Sequence, residues 1–420
     1  MITLNDFTNS AHSESNEEMK MNHTRRVGLV LMMCLVFALA VLVSGCGGGG
    51  SSSSSSTTGS EEPVETGGEE TAEAEGGETK EAAGGNSAVV AEAEKVVEEF
   101  KEQPTELNVT VPIKKSIPSG KSIDFLTCES PGCVEIAEAF EQAADILGWS
   151  TKVMTVGTTA DEIGKAYDTA IRDKPDGVAV VAVSSEVVKH QLTELEELEI
   201  PVVTSQDPNE PFGPIVASLY TNESSERFGR VTADYLGTQG CSEGKVLYVQ
   251  VTGFIVLEYL KKAFEQQFAK VAPEAEIEVL NIPASAFESA PTKIVGALRA
   301  NPDISCIFIS SDPVATGLPQ AIQAAGLEIP PIITDYGGET TIQYIKSGLA
   351  QSTIPPAISG DWGYLYADTF ARSFTGESVE PDNEALQPLW IIEAENAPSK
   401  LPFAYVPELE KEYKELWGIK

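Results

Sequence analysis

The sequence predicts an α/β fold built as two doubly wound parallel-sheet lobes, and three observations carry that expectation. From about residue 104 onward, apolar runs of strand length alternate with helical patterns, the signature of parallel βαβ units. The alternation passes through five strands and then restarts for five more. The stretch 104–420 is also long enough for two moderate lobes.

In the first array Ser122 to Thr127 reads as a strand and Val134 to Leu147 as the helix after it. Strand Thr151 to Val156, helix Thr159 to Arg172, buried strand Gly177 to Val183, helix Val187 to Leu198 and strand Val202 to Ser205 follow. A fifth run, Ile215 to Leu219, precedes a long helix from about Glu223 to Gly237. The second array reads Lys245 to Gln250, Leu257 to Val271, Ile277 to Ile282, Ala286 to Arg299, Cys306 to Ser310 and a helix through Ala325. Ile332 to Tyr336, Thr341 to Ser347 and Gln351 to Ile354 continue it, and a helix starts at Trp362. Leu386 to Glu393 is strand-like and is expected to cross back to the first lobe. The expected limits are 121–220 plus 386–420 for lobe 1, and 240–380 for lobe 2.

The N-terminal region is of another kind. An apolar run from Val27 to Val43 follows Arg25-Arg26 and ends in Leu42-Val43-Ser44-Gly45-Cys46. It is shorter than the ~20 residues a straight spanning helix needs, and it has signal-peptide proportions. The closing segment resembles a bacterial lipobox, which implies cleavage before Cys46, lipid on its thiol and a chain anchored outside the cytoplasm. Residues 1–45 are therefore expected to be a signal peptide, with Met21 as an alternative start and an uncleaved anchor helix as the alternative fate. Thr24-Arg25-Arg26 also resembles a twin-arginine export signal. Residues 46–87 are Gly, Ser, Glu, Thr and Ala with almost no large apolar side chain, the composition of a disordered acidic spacer. Val89, Ala93, Val96, Val97 and Phe100 then recur at helical spacing, predicting a short helix over 88–103 that Pro104 ends.

The formal net charge of −36 argues against nucleic-acid or anionic-lipid partners. Cys128 and Cys133 bracket the turn-forming Glu129-Ser130-Pro131-Gly132, and in an oxidising envelope a disulfide is expected there. Cys241 and Cys306 form a second candidate pair, left open. No metal or cofactor is expected, since the CxxxxC spacing lacks a nearby His and is not a zinc pattern. An enzyme is not expected either, because His190 is the only histidine in the mature chain and neither a P-loop nor a GxSxG elbow occurs in the body.

Four segments resemble the type I periplasmic binding proteins, specifically the ribose-binding, sugar-type receptors of ABC transporters. Lys174-Pro175-Asp176-Gly177-Val178-Ala179 looks like that family's lead into its third strand, and Glu199-Ile200-Pro201-Val202-Val203 like its fourth. Phe308-Ile309-Ser310-Ser311-Asp312 falls where the family usually has Asn-Asp before a helix, and Ile391 to Ala397 resembles its terminal strand. The resemblance implies two lobes joined by a hinge, with a small ligand in the interlobe cleft and no bond broken. Open α/β sheets bind ligands beyond the carboxyl ends of their strands, and the loops there supply Glu129, Ser130, Gln206, Asp207, Phe254, Ser311, Asp312, Asp335, Tyr336 and Trp362 as candidate ligand-binding residues. Ser184 and Ser185 occupy a further loop of this kind.

Departures from the family bear on the ligand. Leu260 stands before Phe264 where an Arg is common, and Gln206-Asp207 replaces a frequent Asp-Arg pair. A neutral polyol fits such a cleft first and an amine second. The implied role is a monomeric, lipid-anchored solute-binding protein that delivers a small carbohydrate-like ligand to ABC permease subunits. The alternative is a sensory receptor of the same fold for a small polar or amine ligand.

Overall fold

The computed structural model describes residues 79–128, 130–157, 159–355, 360–401 and 403–420. The expected signal peptide, the lipidation candidate Cys46, most of the spacer and Glu129 lie outside the described residues. Helix α1, Thr79–Phe100, begins well before the expected 88, since the helix formers Glu81, Ala82 and Ala83 extend it backward.

The first array comprises β1 (Ser122–Thr127), α2 (Pro131–Leu147), β2 (Ser150–Thr155), α3 (Ala160–Asp173), β3 (Gly177–Val181), α4 (Lys189–Glu197), β4 (Val202–Ser205) and β5 (Ile215–Leu219). After α5 (Asn222–Thr238), the second runs β6 (Lys245–Thr252), α6 (Ile255–Val271), β7 (Glu276–Pro283), α7 (Ala290–Ala300), β8 (Ile304–Ile309), α8 (Leu318–Ala324), β9 (Ile332–Asp335), α9 (Glu339–Lys346) and β10 (Ser352–Ile354). Three helices close the chain: α10 (Asp361–Thr375), α11 (Glu380–Asn383) and α12 (Leu409–Leu416).

The two sheets have the same topology. One is ordered β2-β1-β3-β4-β5 and the other β10-β9-β8-β6-β7, with parallel neighbours throughout. In each, the first strand of the array lies inside, so winding reverses beside it and opens a crevice at the carboxyl ends of the strands. Burial follows strand position. Every residue of central β3 is buried between helix layers, whereas no residue of edge strand β2 is buried, as its β-branched and polar mix allows.

Lobe membership differs from the expected limits in two places. Helix α10 follows β10 of the second sheet but packs along α2 of the first lobe. A Cβ on Gly363 would strike the backbone of Ala139 and Phe140, so only glycine permits this approach of the two helices. The segment 386–393 goes the opposite way: it forms no continuous strand, only isolated bridge residues such as Ile392, antiparallel to Thr353, and Trp390 and Ile392 pack with Ile342 and Ile345 of α9. The tail then returns to lobe 1, burying Val406, Leu409, Tyr413 and Trp417 beside α2 and α10. Helix α5 joins lobe 2 by packing along α6. The physical reason is common to all four: an apolar helix face or run of aromatics goes where a matching unfilled face exists, and both sheets offer one.

Disulfides join Cys128 to Cys133, with Cα atoms 5.4 Å apart, and Cys241 to Cys306, at 5.8 Å. The second ties the end of α5 to β8 across 65 residues; on chain-entropy grounds such a loop closure contributes about 4 kcal/mol.

Polar groups gather where the chain passes between lobes. Tyr220 donates its hydroxyl to Asp361 at 2.6 Å, and Tyr413 donates to the other carboxylate oxygen at 3.5 Å. Asn108 donates to the Leu386 carbonyl at 2.7 Å. Deeper in lobe 1, Arg372 holds Asp368 at 2.6 Å and Asp382 at 3.1 Å.

Candidate functional site

A cavity of about 100 Å³ lies at the carboxyl ends of the strands, and both lobes line it. Lobe 1 contributes Ser130, Ile136, Val181, Ala182, Gln206 and Trp362; lobe 2 contributes Phe228, Phe254, Leu260, Phe287, Ser311, Asp335 and Tyr336. Gln387, on the segment passing between them, joins the lining.

Four residues at the ends of strands hold a left-handed backbone although none is glycine: Ala182 (φ 57), Gln206 (φ 54), Tyr220 (φ 48) and Tyr336 (φ 90). They follow β3, β4, β5 and β9 directly. Ala182, Gln206 and Tyr336 line the cavity. Such conformations cost of order 1–3 kcal/mol each and persist where the surroundings over-determine them, which is characteristic of ligand clamps.

The polar groups of the cavity are under-satisfied. Asp335 is 6% exposed, and its Oδ1 has no hydrogen-bond partner; the same holds for the Tyr336 hydroxyl, Trp362 Nε1 and Gln387 Nε2. Leaving a buried polar atom unpaired costs about 1–3 kcal/mol. Four at one cavity therefore mark a place built for something else to complete. Burial pushes the Asp335 carboxyl well above its ordinary range, and the charge of Asp312 adds to that.

Other candidates serve the frame. Asp207 does not line the cavity: its carboxylate accepts from the Ser185 and Asn209 backbone N–H groups, each at 3.2 Å, and from Asn209 Nδ2 at 2.7 Å. Ser184 likewise bonds Asn209. Asp312 accepts from Thr334 at 2.6 Å and from the Gly338 N–H at 3.0 Å, bracing the loop after β9. Burial outweighs these bonds and pushes Asp312 up to about 6. Ser130 caps α2, accepting from the Cys133 N–H, and presents at the cavity edge. Trp362 packs edge-on against Tyr220 with centroids 5.1 Å apart.

Tyr336 also packs closely against lobe 1. Its ring lies over the first turn of α2, where a Cβ built on Gly132 would fall on the phenol. The notch at Gly132 thus receives a knob from lobe 2. Sequence reasoning missed Ser225, Phe228, Phe287 and Gln387, which sit on α5, on the turn after β7 and on the late crossing segment. None of them follows a strand end directly, so the loop rule gave no signal for them. Among the described residues, no cluster of His, Cys, Asp and Glu is arranged to hold a metal ion.

Residues 126–377 match the family model described as the periplasmic binding protein domain. The ribose import binding protein of Salmonella typhimurium is 23% identical over 262 residues, covering 60% of this chain and 84% of that one. The Escherichia coli K12 protein of the same name is 22% identical over 261 residues, with the same coverage. Among solved structures, an ABC transporter solute-binding protein from Agrobacterium vitis with bound allitol superposes with a TM-score of 0.58 at 17% identity, covering 66% of this chain and 97% of that one. A carbohydrate transporter from Acidothermus cellulolyticus in complex with myo-inositol gives 0.57 at 19%, covering 66% and 96%. These relatives are solute-binding proteins, and the likeness to the solved structures is one of fold. With two like sheets, a crevice between them and a match spanning 126–377, the chain belongs to the periplasmic binding protein domain family.

Proposed function

We propose that this chain is an extracytoplasmic solute-binding protein, anchored by lipid at Cys46, that closes on a small carbohydrate-like ligand and delivers it to an ABC importer. The single observation that carries the reading is the interlobe cavity with four unpartnered buried polar atoms contributed by both lobes and the crossing segment. A solute completing those bonds touches both lobes at once and so favours the closed arrangement by its differential affinity for it. Ser130, Gln206, Phe254, Ser311, Asp335, Tyr336 and Trp362 are the proposed contacts, with Gln387 added; Glu129, next to Ser130 in the sequence, stays a candidate. Allitol and myo-inositol in the solved relatives make polyols the first class to try here.

Calorimetry and thermal shift with a panel of polyols, pentoses and hexoses test the reading, since a bound solute raises the melting temperature by mass action. A panel with no response, including amino-substituted members, would remove it. Anchoring is tested separately: Cys46→Ala is expected to abolish fatty-acid labelling and membrane retention, and undiminished label would refute the lipid site. Transport is tested by uptake of the bound solute in cells with and without the chain.

A further inference from the structure

Beside the hydroxyl and amide groups of Ser130, Gln206, Ser225, Ser310 and Ser311, which suit the oxygens of a sugar, the cavity holds an acid with no basic partner in the lining. Among its lining residues none is Lys, Arg or His. Among the described residues of the lining, Asp335 is the one carboxylate, and its Oδ1 is bare. Neighbouring charges deepen the negative field, since Asp312 acts on Asp335 and Glu135 acts on Asp312 and Tyr336. Burial favours the protonated form of such a carboxyl, and a cationic ligand that displaces the proton gives the ionised form its partner.

Around this carboxylate the walls are aromatic: Phe228, Phe254, Phe287, Tyr336 and Trp362. Ring faces attract a cation, and a desolvated site strengthens that attraction. They offer nothing to a hydroxyl, and each hydroxyl stranded against them costs about 1–3 kcal/mol. The bare donors are few: Trp362 Nε1 and Gln387 Nε2, with the Tyr336 hydroxyl able to give or take. The complementary molecule has one strong donor bearing positive charge, a small number of oxygen acceptors and apolar edges.

We propose that the solute is a short hydroxylated skeleton carrying a protonated amine, an amino alcohol or amino sugar, with its ammonium on Asp335 and its oxygens accepting from Trp362 Nε1 and Gln387 Nε2. This rests on the reading of the cavity as the ligand site of a solute-binding protein. It separates the chain from receptors for unsubstituted sugars.

Calorimetry on the intact chain with matched pairs provides the test: glucosamine against glucose, 1-amino-1-deoxyglucitol against glucitol, and ethanolamine against ethylene glycol. N-acetylglucosamine, with the amine's charge removed, is the control. At least one amine is expected to bind roughly tenfold or more tightly than its neutral partner, the size of a charge-assisted bond over a neutral one. Asp335→Asn is expected to erase that preference. The paired comparison is made on the unaltered protein, so it stands whether or not the variant folds. A neutral member binding as tightly as its amine overturns the amine assignment and leaves the solute-binding reading intact. Silence from every member, with the chain shown folded by its melting transition, overturns both.

Discussion

Asp361 and Asp335 are both aspartates buried near the passage between the lobes, and the protein treats them in opposite ways. Asp361 takes hydroxyl hydrogens from Tyr220 and Tyr413 on its two oxygens. Asp335 leaves Oδ1 bare at a cavity that Trp362 and Gln387, with Nε1 and Nε2 equally bare, also line. The contrast separates construction from use. At Asp361, beside a crossing, the protein supplies its own partners, whereas Gln387 on the late crossing segment lines the cleft and leaves Nε2 bare. In the cleft the same kind of group is left incomplete, and stability is given up for recognition.

The largest effect is expected where opposite charges are most deeply buried together. Arg372 is 1% exposed, holds Asp368 and Asp382, and donates to the Val111 carbonyl; Trp417 Nε1 donates to Asp368 at 2.7 Å. This cluster links α10, α11, α12 and the strap before β1. Arg372→Met strands two carboxylates in the interior, which costs about 3–5 kcal/mol. Denaturant titration should show that loss, with solute affinity in the surviving folded fraction far less altered. A variant as stable as the parent would mean that the hinge region does not rest on this cluster.

A smaller and opposite pattern is expected in the cleft. Gly132→Ala puts a methyl group where the Tyr336 phenol sits, so the lobes cannot reach their present separation without displacement. Overpacking of this kind costs about 1–3 kcal/mol, and here the cost falls on the closed arrangement alone. Solute affinity should drop by roughly ten- to a hundredfold while the melting temperature without solute stays near the parent's. Small-angle scattering with saturating solute should show a more open particle. A variant that binds normally would show that Tyr336 moves aside freely.

The sequence made some of this contrast legible and hid the rest. Apolar runs such as Gly177–Val181 gave the buried strands, because a parallel strand covered on both faces favours apolar side chains; Val202–Ser205 is equally buried although it ends in Thr204-Ser205. Strand ends pointed to Asp335, Tyr336 and Gln206. Lobe membership was not legible for α10 or 386–393: both lobes share one pattern, and only packing decides which face an aromatic-rich helix fills. Asp207 and Asp312 looked like Asp335 in the sequence, each an acid beyond a strand. What distinguishes them is where backbone N–H groups point, which local composition does not encode. Gln387 was invisible because nothing in its neighbourhood marks the segment as cleft-lining.

The smallest expected effect concerns pH and returns to Asp361. Burial pushes it up to about 6, outweighing the two tyrosine hydrogen bonds. Asp124 and Asp312 are likewise pushed up to about 6, in each case chiefly by burial. A carboxyl with a raised folded value binds its proton more readily in the folded state, so its contribution to stability is fully present below the unfolded value near 4 and fades as pH rises through about 6. Stability should therefore rise as pH is lowered from about 7 to about 4.5. Asp176 and Glu377 are held below their ordinary range, Asp176 by Lys121 and Ser122 against burial, and Glu377 chiefly by the backbone N–H of Lys115. Their contributions fade only at lower pH and set the acid limit. Asp361→Asn keeps an acceptor for Tyr220 and removes the titration. Across that window it should take away about 2 kcal/mol of the pH dependence, read from denaturant unfolding at pH 4.5 and 7. An unchanged slope in the variant would mean that Asp361 stays ionised in the folded chain, held so by its two phenols, and that the satisfied hinge carboxylate does not resist charge as its burial implies.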